Sequence, residues 1–374
     1  MLTLENLETQ TKEFGSKFVT PITKSVDEEG RFPKEAYDAL RKEGFMGLLV
    51  PREFGGLGGG DYHHAKVCSI LAGFDATTAL CYMMHNTAIA AVRTFASPSL
   101  QAEVLPKVAK GELTFALAYS ESGSGTHFDT PDMIEEESGD SRILKGRKSF
   151  VTAAEFADIY LTYTNSCKLK GKRNNWLVER NSENLVHEHN VWNGLGMRGN
   201  NSKPVQYNGV KVSNSWLLGE EGGGEEQAGI VAMFFVTGLG AIYAGLGNTA
   251  YSVALAHTKE RKYTNGNALS DIELVRIHLA TLYTKAQSAL ALVFEAARAL
   301  DNNEPDFATK IFACRINATE LVTDICTLAM RLGGGKAYSK LLPLERYLRD
   351  SYAAQVMAPS LDVVKIWLGD ALRK

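Results

Sequence analysis

A chain of 374 residues, 45% hydrophobic and 22% charged, has room for two or three domains and a sizeable core. Its net charge of −3 gives it no overall attraction to nucleic acid or to an anionic membrane. Cys68, Cys81, Cys167, Cys314 and Cys326 form no CxxC pair, which argues against a zinc site and a disulfide framework. Buried thiols in a reducing, cytoplasmic compartment are expected instead.

The start of the chain is charged and lacks the apolar run and small-residue cleavage site of a secretory signal. Residues 1–114 read as an N-terminal helical domain. Leu4, Leu7, Thr11, Phe14 and Phe18 recur at helical spacing. Pro33 opens a second helix carrying Tyr37, Leu40 and Phe45. A glycine-rich loop over 54–60 follows, and Asp61 is placed to cap the next helix, which runs towards Phe74. Another apolar helix covers 77–95, and Ser97-Pro98-Ser99 starts one more.

The period then changes. Residues 115–224 read as a middle β domain, expected as a small barrel, with strands near 114–119, 149–152, 158–163, 175–178 and 204–212. Turn residues separate them at 137–141 and at Tyr207-Asn208-Gly209. Residues 225–374 return to helical spacing, with apolar stripes over 230–257, 271–300, 306–332 and 353–372, as in an antiparallel four-helix bundle. The apolar run 229–247 is punctuated by glycines and is expected as a buried helix, closely packed by its neighbours, rather than a membrane span. The fold class is therefore mainly α with a central β domain.

Two segments carry candidate chemistry. In LAYSESGSGTHFD, from Leu117, an apolar strand runs into small residues. Gly123 and Gly125 let backbone amides approach a ligand, and Ser120, Ser122, Ser124 and Thr126 add hydroxyls. The loop suits a phosphate or a polar ring edge, or is a plain solvent loop. In KSFVTAA, from Lys148, Phe150 precedes Thr152 by two residues, so a strand would set both on one face. The pair could hold a planar heterocycle, or Phe150 could belong to the core. Near the C-terminus, Gly333-Gly334-Gly335 breaks a helix, and Glu345 and Arg349 can pair four residues apart.

Taken in order, LVPREFGGLGG, AYSESGSGTHFD, ILKGRKSFVTAAEFAD, LGMRGNNSKPVQYNGVKV, ERKYTNG and GGGKAYSKLLPLERYLRD make the chain resemble the acyl-CoA dehydrogenase superfamily over nearly its full length. The resemblance implies FAD held between the β domain and the C-terminal bundle, with part of the dinucleotide reaching a neighbouring subunit of a homotetramer or homodimer. It assigns flavin contacts to Tyr119, Ser120, Gly125, Thr126, Phe150 and Thr152. It assigns more distant FAD contacts to Arg261, Arg331, Gly334, Gly335, Ser360 and Asp362. Phe234, Phe235 and Tyr243 fall on the helix expected to line the acyl slot, or pack in the core.

The family's catalytic Glu is missing. After Arg349-Asp350 its usual turn reads Ala358-Pro359-Ser360, and the alternative position on the first bundle helix aligns near Phe235. His85, on a helix that faces the active site in the family, is the remaining acid–base candidate, or is a hydrogen-bonded core histidine. An oxidoreductase acting on an acyl thioester of CoA or a carrier protein is the leading expectation, with an electron-transferring flavoprotein as redox partner. A monooxygenase of the same fold, served by a flavin reductase, and a degenerate flavin-binding partner subunit are the alternatives.

Overall fold

The computed structural model describes residues 2–125, 130–189 and 192–373. The N-terminal domain comprises α1 (Leu7–Phe14), α2 (Thr23–Glu29), α3 (Lys34–Lys42), α4 (Asp61–Phe74), α5 (Ala76–Phe95) and α6 (Pro98–Ala109). Two of these start on the side-chain caps that their sequences advertise. Asp75 accepts from the Thr78 N–H at 2.7 Å to open α5, and Ser97 accepts from the Leu100 N–H at 3.3 Å to open α6. α4 differs from expectation. Asp61 lies inside its first turn, fully buried, and the cap is the Asp301 carboxylate, which accepts from the N–H groups of Asp61 and Tyr62 at 2.6 and 2.9 Å. A partner 240 positions away leaves no local trace.

The middle domain contains β1 (Phe115–Ala118), β2 (Ile134–Ser138), β3 (Ser141–Val151), β4 (Ile159–Asn165), β5 (Arg173–Glu179), β6 (Leu185–His187) and β7 (Lys203–Ser213). These strands build two separate sheets, β1-β4-β5 and β2-β3-β7-β6, so the expected closed barrel is corrected to a pair of open sheets. β1 runs parallel to β4, and every other pairing between two of these strands is antiparallel among the described residues. Residues 137–141 form the expected hairpin tip, with Ser138 opposite Ser141 and Gly139 at φ +61°. The expected turn at Asn208-Gly209 is instead a bulge inside β7. Leu144 pairs with Val210 and Lys145 with Asn208, leaving Gly209 unpaired at φ +89°. β2, with its sequence IEEES, escaped notice because its charged residues mask the alternation.

The C-terminal domain has α7 (Gly224–Glu260), α8 (Glu273–Asp301), α9 (Phe307–Tyr338), α10 (Leu344–Val356) and α11 (Leu361–Leu372). The expected final helix is two helices, α10 and α11, joined by a turn that carries Ala358. α9 kinks at Gly334, whose φ of +53° and ψ of −138° leave the helical region. α7 is long and apolar enough to cross a membrane by length and composition, yet 78% of its most apolar stretch is buried in the protein. Its glycines allow this, since a Cβ on Gly238 would stand 2.5 Å from Met83 Cγ. One apolar core joins the N- and C-terminal domains, and a second fills the β domain. Four cysteines are buried as expected; Cys167 is exposed.

Candidate active site

A cavity of about 690 Å³ lies where the three domains meet. Its β-domain side is polar, presenting Ser120, Ser122, Ser149, Thr152, Asn200 and Ser202. Its bundle side is apolar, presenting Val231, Ala232 and Phe235 from α7 and Ala353, Met357 and Ala358 from the end of α10 and the turn after it.

The polar side follows from local backbone geometry. Beyond β1 the chain is stitched to β3: the Ser149 N–H donates to the Ser120 carbonyl at 2.8 Å, and the Ser122 and Ser149 hydroxyls lie 3.1 Å apart. A register shift in β3 between Lys148 and Val151 turns Phe150 out, leaving it 61% exposed while Val151 is buried. Thr152 follows, its Oγ1 2.9 Å from Ser202 Oγ. Ala153 then adopts φ +60° and donates its N–H to the Asn200 carbonyl at 3.0 Å. A non-glycine residue in the left-handed region is costly and is held here by its surroundings.

Tyr119, Ser120, Gly125, Phe150 and Thr152 thus meet at one wall, as their motifs suggested. Thr126 lies outside the described residues. Arg261, Arg331, Gly334, Gly335, Ser360 and Asp362 do not line this cavity. Arg261 sits just past the far end of α7, about 39 Å from Phe235 at 1.5 Å per residue. Arg331 and Gly335 are exposed on α9, and Ser360 and Asp362 open α11. Ser360 and Asp362 nevertheless follow the wall residue Ala358 by only two and four positions.

Of the three residues expected in an acyl slot, only Phe235 is in the wall. Successive helical residues diverge by about 100°, so Phe234 points elsewhere, packing 5.9 Å from His64 and 5.3 Å from the Arg93 guanidinium. Tyr243 is fully buried beneath Arg315, and its hydroxyl reaches Met357 Sδ at 3.9 Å. His85 has the geometry of its second reading, a hydrogen-bonded core histidine. It is completely buried, off the cavity wall, with Nε2 2.9 Å from the Met46 carbonyl and Nδ1 accepting from the Phe115 N–H at 3.0 Å. Burial pushes its pKa down to about 4, which keeps the imidazole neutral.

The fold does bring Phe235 and Ala358, the two positions at which the resemblance led us to look for an acid, into the same wall. Among the described lining residues the sole carboxylate is Glu121, which sequence reasoning passed over. It is not available as a base. Oε1 lies 2.5 Å from Lys148 Nζ, and Oε2 accepts from the N–H groups of Asp132 and Met133 at 2.5 and 3.2 Å. Arg147, also in the wall, is held by Glu188 at 2.6 Å. Trp192, Asn200 and Ser202 were missed as well; they flank or lie in a segment whose only sequence signal was its family resemblance.

These residues fit a flavin. The exposed Phe150 ring supplies an apolar face, the hydroxyls of Thr152 and Ser202 supply hydrogen bonds to a ring edge, and no described residue stands within 4 Å of where a Cβ on Gly125, at φ +57°, would be. The opposite wall of Val231, Ala232, Phe235, Ala353, Met357 and Ala358 offers water no side-chain hydrogen bond.

The family model for the acyl-CoA dehydrogenase N-terminal domain matches residues 3–112, the middle domain 116–210 and the C-terminal domain 237–365. The chain is 27% identical over 348 residues to the short/branched chain specific acyl-CoA dehydrogenase of Bos taurus mitochondria, covering 92% of this chain and 80% of that protein. It is 28% identical to the caffeyl-CoA reductase-Etf complex subunit CarC of Acetobacterium woodii over 345 residues, 91% of this chain and 90% of that one. Its fold superimposes on butyryl-CoA dehydrogenase from Megasphaera elsdenii with a TM-score of 0.93 at 23% identity, covering 100% of this chain and 99% of the other. With three domain models matched in order and a flavin-shaped ledge at their junction, the chain belongs to the acyl-CoA dehydrogenase family of FAD-dependent oxidoreductases.

Proposed function

We propose that the protein exchanges a hydride with the β-carbon of an acyl thioester, of CoA or of a carrier protein, whose acyl group is uncharged. The partition of the cavity carries this reading: hydrogen-bonding side chains on the β-domain side face a bundle side made wholly of apolar groups. Bound FAD supplies the centre that accepts or gives up the hydride. Thr152 and Ser202 orient the ring edge, Phe150 supports its face, and Phe235 and Met357 confine the acyl group and keep water out. A carboxylate or hydroxyl on the acyl chain would lose its hydration against that wall without a partner to replace it.

With Phe235 and Ala358 at the two positions where the resemblance expects an acid and Glu121 fully engaged, the described wall residues include no free carboxylate to take an α-proton. This favours reduction of an activated double bond, its α-carbon taking a proton from solvent after hydride delivery, once the product leaves the wall, over oxidation of a saturated chain. It also supports the second reading, a monooxygenase, because that chemistry needs no α-proton base. An electron-transferring flavoprotein serves the first reading as redox partner, consistent with the complex named for CarC. A flavin reductase serves the second. We place the enzyme in the cytoplasm as a homotetramer or homodimer, in which Arg261 and the glycines near Gly334 complete the cofactor site of a neighbouring copy.

The test is anaerobic mixing of the reconstituted enzyme with saturated and α,β-unsaturated acyl-CoAs. Reoxidation of the reduced enzyme by unsaturated thioesters supports the leading reading. Oxygen consumption coupled to hydroxylation, with no thioester reacting, moves the assignment to the monooxygenase. Flavin uptake with neither reaction would move the assignment to the degenerate flavin-binding partner subunit.

A further inference from the structure

Lys148 is a lysine with no exposed surface, on the strand that ends at the cavity, and the chemistry above does not use it. An ammonium group has three donors, and here all three are spent. Nζ lies 2.5 Å from Glu121 Oε1, 3.3 Å from the Tyr119 carbonyl and 2.5 Å from the Tyr163 carbonyl. Glu121, itself only 4% exposed, accepts the Asp132 and Met133 N–H groups with its other oxygen. The pair therefore ties four segments together: the loop after β1, β3, β4 and the chain entering β2. Burying two charges costs several kcal/mol of desolvation, and apolar residues of similar volume commonly give equal or greater stability. Stability is thus a poor reason for the pair, whereas geometry is a good one, since Tyr119, Ser120, Glu121 and Ser122 all line the cavity.

We infer that Lys148 and Glu121 are positioning residues for the cofactor, fixing the backbone of 119–122 as the wall against which the flavin ring edge is held. This rests on the reading of the cavity as the FAD site, and not on the identity of the substrate. Neither residue touches the reacting atoms; both act through the loop.

The experiment measures FAD affinity of the reconstituted apoprotein, visible circular dichroism of the bound flavin, and Tm, for wild type, Lys148→Met and the apolar double variant Glu121→Leu/Lys148→Met. Lys148→Met strands a buried carboxylate, so its Tm falls. The double variant recovers most of that Tm but binds FAD at least about tenfold more weakly, with an altered flavin spectrum. Recovery of both Tm and wild-type FAD affinity and spectrum would show that the pair merely holds the fold, and overturns the inference. Should the double variant not fold, Lys148→Arg decides. It keeps the charge but replaces a point donor by a planar fork, so weakened FAD binding in a folded protein supports the inference and wild-type binding overturns it. A wild type that binds FAD yet acts on no thioester defeats the substrate reading and leaves this one standing.

Discussion

Replacing His85 with glutamine should remove a large part of the protein's acid sensitivity while leaving its flavin chemistry alone. Burial lowers the His85 pKa from 6.5 to about 4. At about 1.4 kcal/mol per pH unit, that difference is worth roughly 3 kcal/mol. The sign follows from the direction: the folded state resists protonation, so the stability is present above pH 6.5 and is lost as the pH falls towards 4. Glutamine can still donate to the Met46 carbonyl, and the bond from Phe115 is the one at risk, costing about 1–3 kcal/mol at every pH if it is lost. Urea unfolding of both proteins at pH 7, 6, 5 and 4 reads the difference. The wild-type curve alone does not suffice, because buried Asp350 titrates in the same range with the opposite sign. The gap between the two proteins should shift by roughly 3 kcal/mol in favour of His85→Gln as the pH drops. Parallel curves would refute the argument. So would a variant of unchanged stability whose flavin no longer turns over, because His85 would then be acting in the reaction.

Ala358→Glu places a carboxylate in the cavity wall at the position where the family carries its base, so flavin reduction by saturated acyl-CoA should accelerate by about a hundredfold in anaerobic stopped-flow. An unchanged rate would mean that this wall does not face the α-carbon. Asp350, whose carboxylate accepts the Met197 N–H at 2.6 Å, is raised by burial to about 7. Its contribution to stability is full below its unfolded pKa of 3.8 and is lost as pH rises through 7. Asp350→Asn should therefore gain stability relative to wild type between pH 5 and 8 by chemical denaturation. Gly245→Ala would drive a Cβ into the Ser69 carbonyl where α4 and α7 touch, costing about 1–3 kcal/mol in urea unfolding without changing FAD affinity.

Much of this molecule was legible in one dimension because its signals are local. The change of hydrophobic period from helical to alternating and back marked the three domains. The cap at Ser97 and the left-handed Gly334 act within a few residues of themselves. Phe150 and Thr152 could be paired from strand geometry, although a bulge, and not simple alternation, exposes the phenylalanine. Asn208-Gly209 misled for a related reason, since a left-handed glycine suits a turn and a bulge equally well.

What stayed hidden depends on groups that meet only after folding. The order of residue types, taken alone, was enough to define a three-part flavoprotein and to point to Phe235 and Ala358 as the positions to compare with the family's acid. Only the tertiary structure decided that those positions share one wall, that Glu121 beside them is consumed by Lys148, and that His85 spends both nitrogens on distant backbone. Whether a side chain is reactive or satisfied is set by its partners in space, and those partners lie tens to hundreds of residues away along the chain.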